Sequence, residues 1–235
     1  MKLRLVALLL VIPFILFSQK KGTTFGLQIK PIIPVNYFDA GPKTTSDSLV
    51  EVNIKPKTGF SFGVLIRQEL SKSIAIEVGI SSVKRNFDVE AKGLTTSNSD
   101  KTDFGFLSYQ IPIQGLFYIQ LSEQIFMNTT AGIGIDMYPS DVKSKGENFL
   151  LDNQTSRFQN FNLSLLANLG FEYRTEKSGT FYIGASFNGP FKPIAKSFYT
   201  YNYVDSKNTT VSSLLNGNYI TLDFRFFFPE QEDKL

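Results

Sequence analysis

The sequence contains neither cysteine nor histidine. Without cysteine it has no disulfide staple and no thiol to accept a lipid, so any fold must close through its own core or sheet. Without histidine it lacks the usual base of serine and cysteine hydrolases. That bears on Gly59-Phe60-Ser61-Phe62-Gly63, which formally matches the Gly-x-Ser-x-Gly pattern. A nucleophile there needs a sharp strand-to-helix turn, whereas Ser61 lies in an alternating run that reads as a strand. Gly132-Ile133-Gly134 does not complete a dinucleotide fingerprint and has no helix signal after it. No catalytic residue, cofactor or metal site is expected. The alternative is an enzyme working through carboxylates or loop residues.

Long apolar helical stretches are also missing beyond the N-terminus. There, Met1 to Arg4 is basic and Leu5 to Phe17 almost unbroken in apolar character, too short for an ordinary spanning helix. Residues 1–18 are expected to be a secretion signal cut ahead of Gln19, residues 19–228 the functional domain, and residues 229–235 a short polar tail. Of 24 basic residues, Lys2 and Arg4 belong to the signal, which leaves 22 against 21 acidic ones. So balanced a charge argues against a nucleic-acid partner.

What is present is two-residue alternation. Phe161, Leu163, Leu165, Ala167, Leu169, Phe171 and Tyr173 share one face, with Asn162, Ser164, Asn168, Gly170, Glu172 and Arg174 on the other. Comparable runs span 25–35, 59–70, 74–81, 104–121, 125–137, 180–188 and 220–228. Their connections alternate between short turns, such as Ser71-Lys72-Ser73, and long polar segments near 37–57, 91–103, 140–158 and 189–218. The expectation is an all-β, eight-stranded antiparallel transmembrane barrel with short periplasmic turns and longer extracellular loops, in the cell outer membrane, both mature termini periplasmic. A lipocalin-like soluble barrel and a β-sandwich are the architectural rivals. Charges and amides recurring opposite Ile, Leu, Val and Phe favour lipid outside and a polar interior.

The polar face carries Lys30, Arg67, Glu69, Glu77, Asp136, Glu172, Arg174, Asp223 and Arg225, expected to neutralise one another as an interior network. A hairpin centred on Lys72 sets Arg67 opposite Glu77. In the last long segment Tyr199, Tyr201 and Tyr203 fall on one side of a strand extension and are candidate contacts for an envelope or exported protein.

The stretch Phe106 to Tyr118, with Tyr109-Gln110-Ile111-Pro112 at its centre, resembles the PorT-type outer-membrane β-barrel family of Bacteroidota. So do Gly59–Gly63, Ile76-Glu77-Val78-Gly79 and Ala131–Gly134. The resemblance runs from about Thr24 to Phe228. It implies an outer-membrane barrel in contact with lipid, and a role in secretion or surface attachment of exported proteins. Phe224-Arg225-Phe226-Phe227-Phe228 resembles a strand recognised by the barrel-insertion machinery, although here the chain runs on through Pro229 to Leu235.

Overall fold

The computed structural model describes residues 22–96, 98–175, 177–202 and 208–229. The signal expected at 1–18 lies outside them, as does the tail beyond Pro229. Thirteen strands occur among the described residues: β1 (Thr23–Ile33), β2 (Lys43–Ser46), β3 (Val50–Glu69), β4 (Ile74–Gly93), β5 (Ser99–Gln120), β6 (Ile125–Met137), β7 (Val142–Lys145), β8 (Leu151–Arg157), β9 (Phe161–Thr175), β10 (Gly179–Pro190), β11 (Ala195–Tyr201), β12 (Thr209–Leu215) and β13 (Tyr219–Phe227).

They form two sheets. In the larger, antiparallel pairings lead from β1 through β13, β10, β9, β6, β5, β4 and β3 back to β1, with β2 added beside β3. The smaller is an open sheet in the order β12-β11-β8-β7. This overturns the expectation of a simple eight-stranded barrel with polar loops. The segments 140–158 and 189–218 are not loops, because they supply β7, β8, β11 and β12. The segments 37–57 and 91–103 are largely strand as well, since β3, β4 and β5 run 20 to 22 residues, about twice what a tilted membrane strand needs.

The reason lies in a reversal of chemistry along single strands. On β4, the outward positions are Ile74, Ile76, Val78 and Ile80, then Ser82, Lys84, Asn86, Asp88, Glu90 and Lys92. The inward positions change the opposite way, from Glu77 and Ser81 to Phe87, Val89 and Ala91, all buried. The lower half therefore has an apolar wall around a polar interior. The upper half has a polar wall around an apolar core.

On β3 the same change is accompanied by a bulge. Lys57 pairs with Asn86 and Phe60 with Lys84, so Thr58 and Gly59 together face one residue. Val50, Val52 and Ile54 consequently point inward while Phe60, Phe62 and Val64, of the same parity, point outward. The upper core gathers these valines with Phe87, Phe106, Tyr138, Leu151 and Val211. Phe87 stacks on Phe104 with centroids 5.2 Å apart, and Phe106 meets Tyr138 at 5.6 Å. Flanks of the two sheets touch: Thr45 donates to the Ser212 carbonyl at 3.2 Å, and the Glu147 amide to the Lys101 carbonyl at 3.0 Å.

The apolar wall is of membrane dimensions. On β9 the outward row from Phe161 to Tyr173 spans 12 residue steps. That is about 40 Å along the strand and about 30 Å when tilted by about 40°. Aromatic residues collect at both limits, with Phe60, Phe161 and Phe191 at one and Phe25, Tyr173, Phe181 and Phe228 at the other, all exposed.

Candidate functional site

Eight charged side chains from β1, β3, β4, β9 and β13 meet inside the lower half, each brought there by inward parity on its strand. They form one alternating series. Lys30 lies 3.1 Å from Asp223, which is 2.8 Å from Arg225. Arg225 reaches Glu77 at 2.9 Å, and Glu77 accepts from Arg67 at 3.0 Å. Arg67 reaches Glu172 at 2.8 Å, Glu172 meets Arg174 at 3.0 Å, and Arg174 ends the series on Glu69 at 3.3 Å. Four cations alternate with four anions, so the series is neutral. Every inner carboxylate touches two cations, and the most exposed carboxylate, Glu69, stands at one end.

Neutral groups complete the network. Asn128 donates to Glu172 at 2.7 Å, and Asn168 to Asp223 at 3.1 Å. Arg67 lies over the Phe227 ring at 3.7 Å and Arg174 over Phe126 at 4.2 Å. Tyr182 donates to Asn168 at 2.7 Å, and its hydroxyl occupies a gap left where Gly170 and Gly184 pair, since a methyl group on either would collide with it. Removing a central member such as Glu77, Glu172 or Arg225 would leave buried opposite charges short of a partner. A general base or a metal needs a carboxylate with a free lone pair in an accessible cleft, and in this series each is committed to guanidinium or ammonium. Among the described residues no group of three or more His, Cys, Asp or Glu could hold a metal.

Asp136 stands apart from the series. It is buried and accepts from Gln110 at 2.8 Å. Ser61, the centre of the hydrolase-like pattern, is a buried serine within β3.

The tyrosine trio is placed otherwise than expected. Tyr199 and Tyr201 point into the upper core and are 0% and 1% exposed, so neither offers a contact surface. They alternate inward on β11 because that strand is covered by the β3–β5 extensions, which the loop reading left out. Tyr203 lies outside the described residues.

Two residues of consequence escaped the sequence reading. Arg85 continues the inward row of Glu77, Ser81 and Val83, beyond the alternating run at 74–81. Asp100, also buried, accepts backbone N–H bonds from Lys101 at 2.8 Å, Asn148 at 2.9 Å, Leu150 at 2.8 Å and Leu151 at 3.0 Å. It thereby fixes the β7–β8 turn, where Phe149 sits in the left-handed region at φ 60° and is 77% exposed. An aspartate at an apolar-row position was the available signal.

The family described as "Outer membrane protein beta-barrel domain" matches residues 17–196. Among solved structures, the outer membrane protein OprG of Pseudomonas aeruginosa is similar over 90% of this chain and 98% of its own, at 11% identity and a TM-score of 0.54. The similarity to the translocator domain of the autotransporter NalP of Neisseria meningitidis covers 94% of each chain at 10% identity and a TM-score of 0.40. No curated protein matches the chain.

Proposed function

This chain belongs to the outer membrane protein β-barrel domain family, and from that premise we propose that it is a non-enzymatic outer-membrane protein serving as a surface contact or secretion accessory. The ring of eight strands crosses the membrane. Both mature termini lie on the periplasmic side, because the start of β1 and the end of β13 share a rim with the turns at 70–74 and 121–125. Export relies on the signal at residues 1–18, and insertion on the barrel-insertion machinery reading the aromatic-rich β13. The PorT-type resemblance favours a role in handling exported proteins.

The observation that carries this reading is the reversal of faces at Ile80 and Ser82, which puts a folded, apolar-cored platform above the membrane. Conduction is disfavoured by the filled interior. The cavity beside Lys30 has about 20 Å³, room for about one water. Among the described residues the most exposed large apolar side chain is Phe149, in the turn whose Asn148 and Leu150 amides Asp100 holds. Crosslinking in native outer membranes with mass spectrometry tests the proposal: recurrent crosslinks from the 140–158 segment to one envelope or exported protein are expected, weakened by Phe149→Ser. Crosslinks confined to neighbouring lipopolysaccharide or random porins would contradict it.

A further inference from the structure

β2 lies beside β12 without pairing to it. The segments 38–47 and 209–218 run antiparallel, joined in order by side-chain contacts. Asn218 donates to the Phe38 carbonyl at 2.5 Å, Asn216 to the Asp39 carboxylate, Lys43 to the Leu214 carbonyl at 3.4 Å, Thr45 to the Ser212 carbonyl at 3.2 Å, and Thr209 to the Asp47 carboxylate. Among the described residues no backbone–backbone bond crosses this line, since β2 pairs with β3 and β12 with β11. Each of the contacts is exposed, so water can take its place.

The other flank is closed through the backbone. There the Glu147 amide donates to the Lys101 carbonyl at 3.0 Å, and Asp100 holds the amides of Asn148, Leu150 and Leu151. The platform therefore has one firm seam and one weak one.

The carbonyls that Lys43 and Thr45 reach show how β12 is turned. The N–H and C=O of one strand residue point to the same side, so Ser212 and Leu214 direct both groups towards β2, and Val211 and Ser213 direct theirs towards β11. This is an unladdered sheet edge, the kind that accepts another extended chain. Opposite Ile54 and Val52, β2 presents only Lys43 and Thr45 to the apolar core, where Val211 and Leu215 are buried. A cavity of about 50 Å³, lined in part by Ile54 and Leu215, lies at the lower end of the seam. A strand with apolar residues at alternate positions would gain both a backbone ladder and burial that β2 leaves unused.

We propose that β2 and the 34–42 segment form a flap that swings off β12, and that the Ser212–Leu214 edge so uncovered takes an extended polypeptide by strand addition. The inference rests on the proposed role in contacting exported or envelope proteins, and names the form in which such a partner is held.

The probe is a synthetic peptide alternating valine and threonine between terminal lysines, with a control in which every threonine is proline and the donors of one edge are gone. Hydrogen exchange is followed on the full chain in detergent micelles. The valine–threonine peptide should slow exchange at the Ser212 and Leu214 amides by at least about tenfold, leave Val211 and Ser213 unchanged, and lose this effect in the proline form. In oxidised Thr45→Cys/Ser212→Cys the flap is locked and the slowing at Leu214 should vanish, returning on reduction. The proposal is overturned if saturating peptide slows neither amide, if the proline form acts equally, if exchange slows uniformly from 211 to 214, or if the locked flap leaves the slowing intact. The peptide comparison uses unaltered protein, so it stands whether or not the disulfide forms. Alternate protection without native-membrane crosslinks to a protein would retain the edge and remove the partner reading, whereas crosslinks without protection would remove only the edge.

Discussion

Arg67 and Glu77 face one another across β3 and β4 at equal distance from the turn at Lys72, and their buried side chains meet at 3.0 Å. Glu77 also receives Arg225 at 2.9 Å, so this carboxylate joins two cations. Its removal leaves both without their shared partner. Glu77→Ala is expected to destabilise the folded state by about 3 to 5 kcal/mol, and Glu77→Gln by less, measured by urea unfolding in micelles. A loss under about 1 kcal/mol would mean that water, not Glu77, neutralises these arginines.

Legibility in the sequence followed the membrane half. Parity alone placed Lys30, Glu77, Glu172 and Arg225 on one face, because lipid demands an uninterrupted apolar row opposite them. The upper half was hidden by the same rule. Val50, Val52 and Ile54 share even numbers with Phe60, Phe62 and Val64, and the bulge at Thr58–Gly59 that separates the two sets adds a single residue with no sequence mark of its own. Past Ser81, outward Lys84, Asp88 and Glu90 break the apolar row that marks the run at 74–81, although Phe87, Val89 and Ala91 continue the alternation. The pairing of β11 with β8 and β12 joins segments distant in sequence, which periodicity does not report.

The carboxylate of Asp100 holds four backbone amides of two hairpins. Asp100→Ala should release the 146–151 turn, with faster hydrogen exchange at Asn148, Leu150 and Leu151 and new protease cleavage there. Loss of a buried acceptor costs about 1 to 3 kcal/mol locally. The membrane ring should keep its heat-modifiable migration. Unchanged exchange at the three amides would show that the turn holds itself.

Lipid contact should make the wall intolerant of charge at mid-depth. Leu165→Arg, in the outward row of β9, is expected to cost about 2 to 4 kcal/mol in bilayer refolding. Lys92→Asp, on the outward face of β4 above the reversal, should change stability by no more than about 0.5 kcal/mol. Equal effects would remove the distinction between the halves.

The upper core should come apart in alkali. Burial pushes the Tyr199 phenol up to about 12, against an ordinary value near 10. The folded form thus holds this proton more tightly than the unfolded form. Its contribution is complete below pH 10 and is lost as pH rises from 10 towards 12. A phenolate absorbance step assigned to Tyr199 by Tyr199→Phe should therefore fall near pH 12, together with loss of near-ultraviolet dichroism. Titration near pH 10 without structural change would place Tyr199 at the surface.

The absence of cysteine allows the central claim, the reversal of faces along β4, to be measured directly. Single cysteines placed at each outward position from Ile74 to Lys92 in proteoliposomes can be challenged with a membrane-impermeant maleimide. Positions 76, 78 and 80 should resist labelling, and positions 84, 86, 88 and 90 should label fully, with the step at Ser82. Uniform labelling along the strand, or protection extending through position 90, would contradict the account.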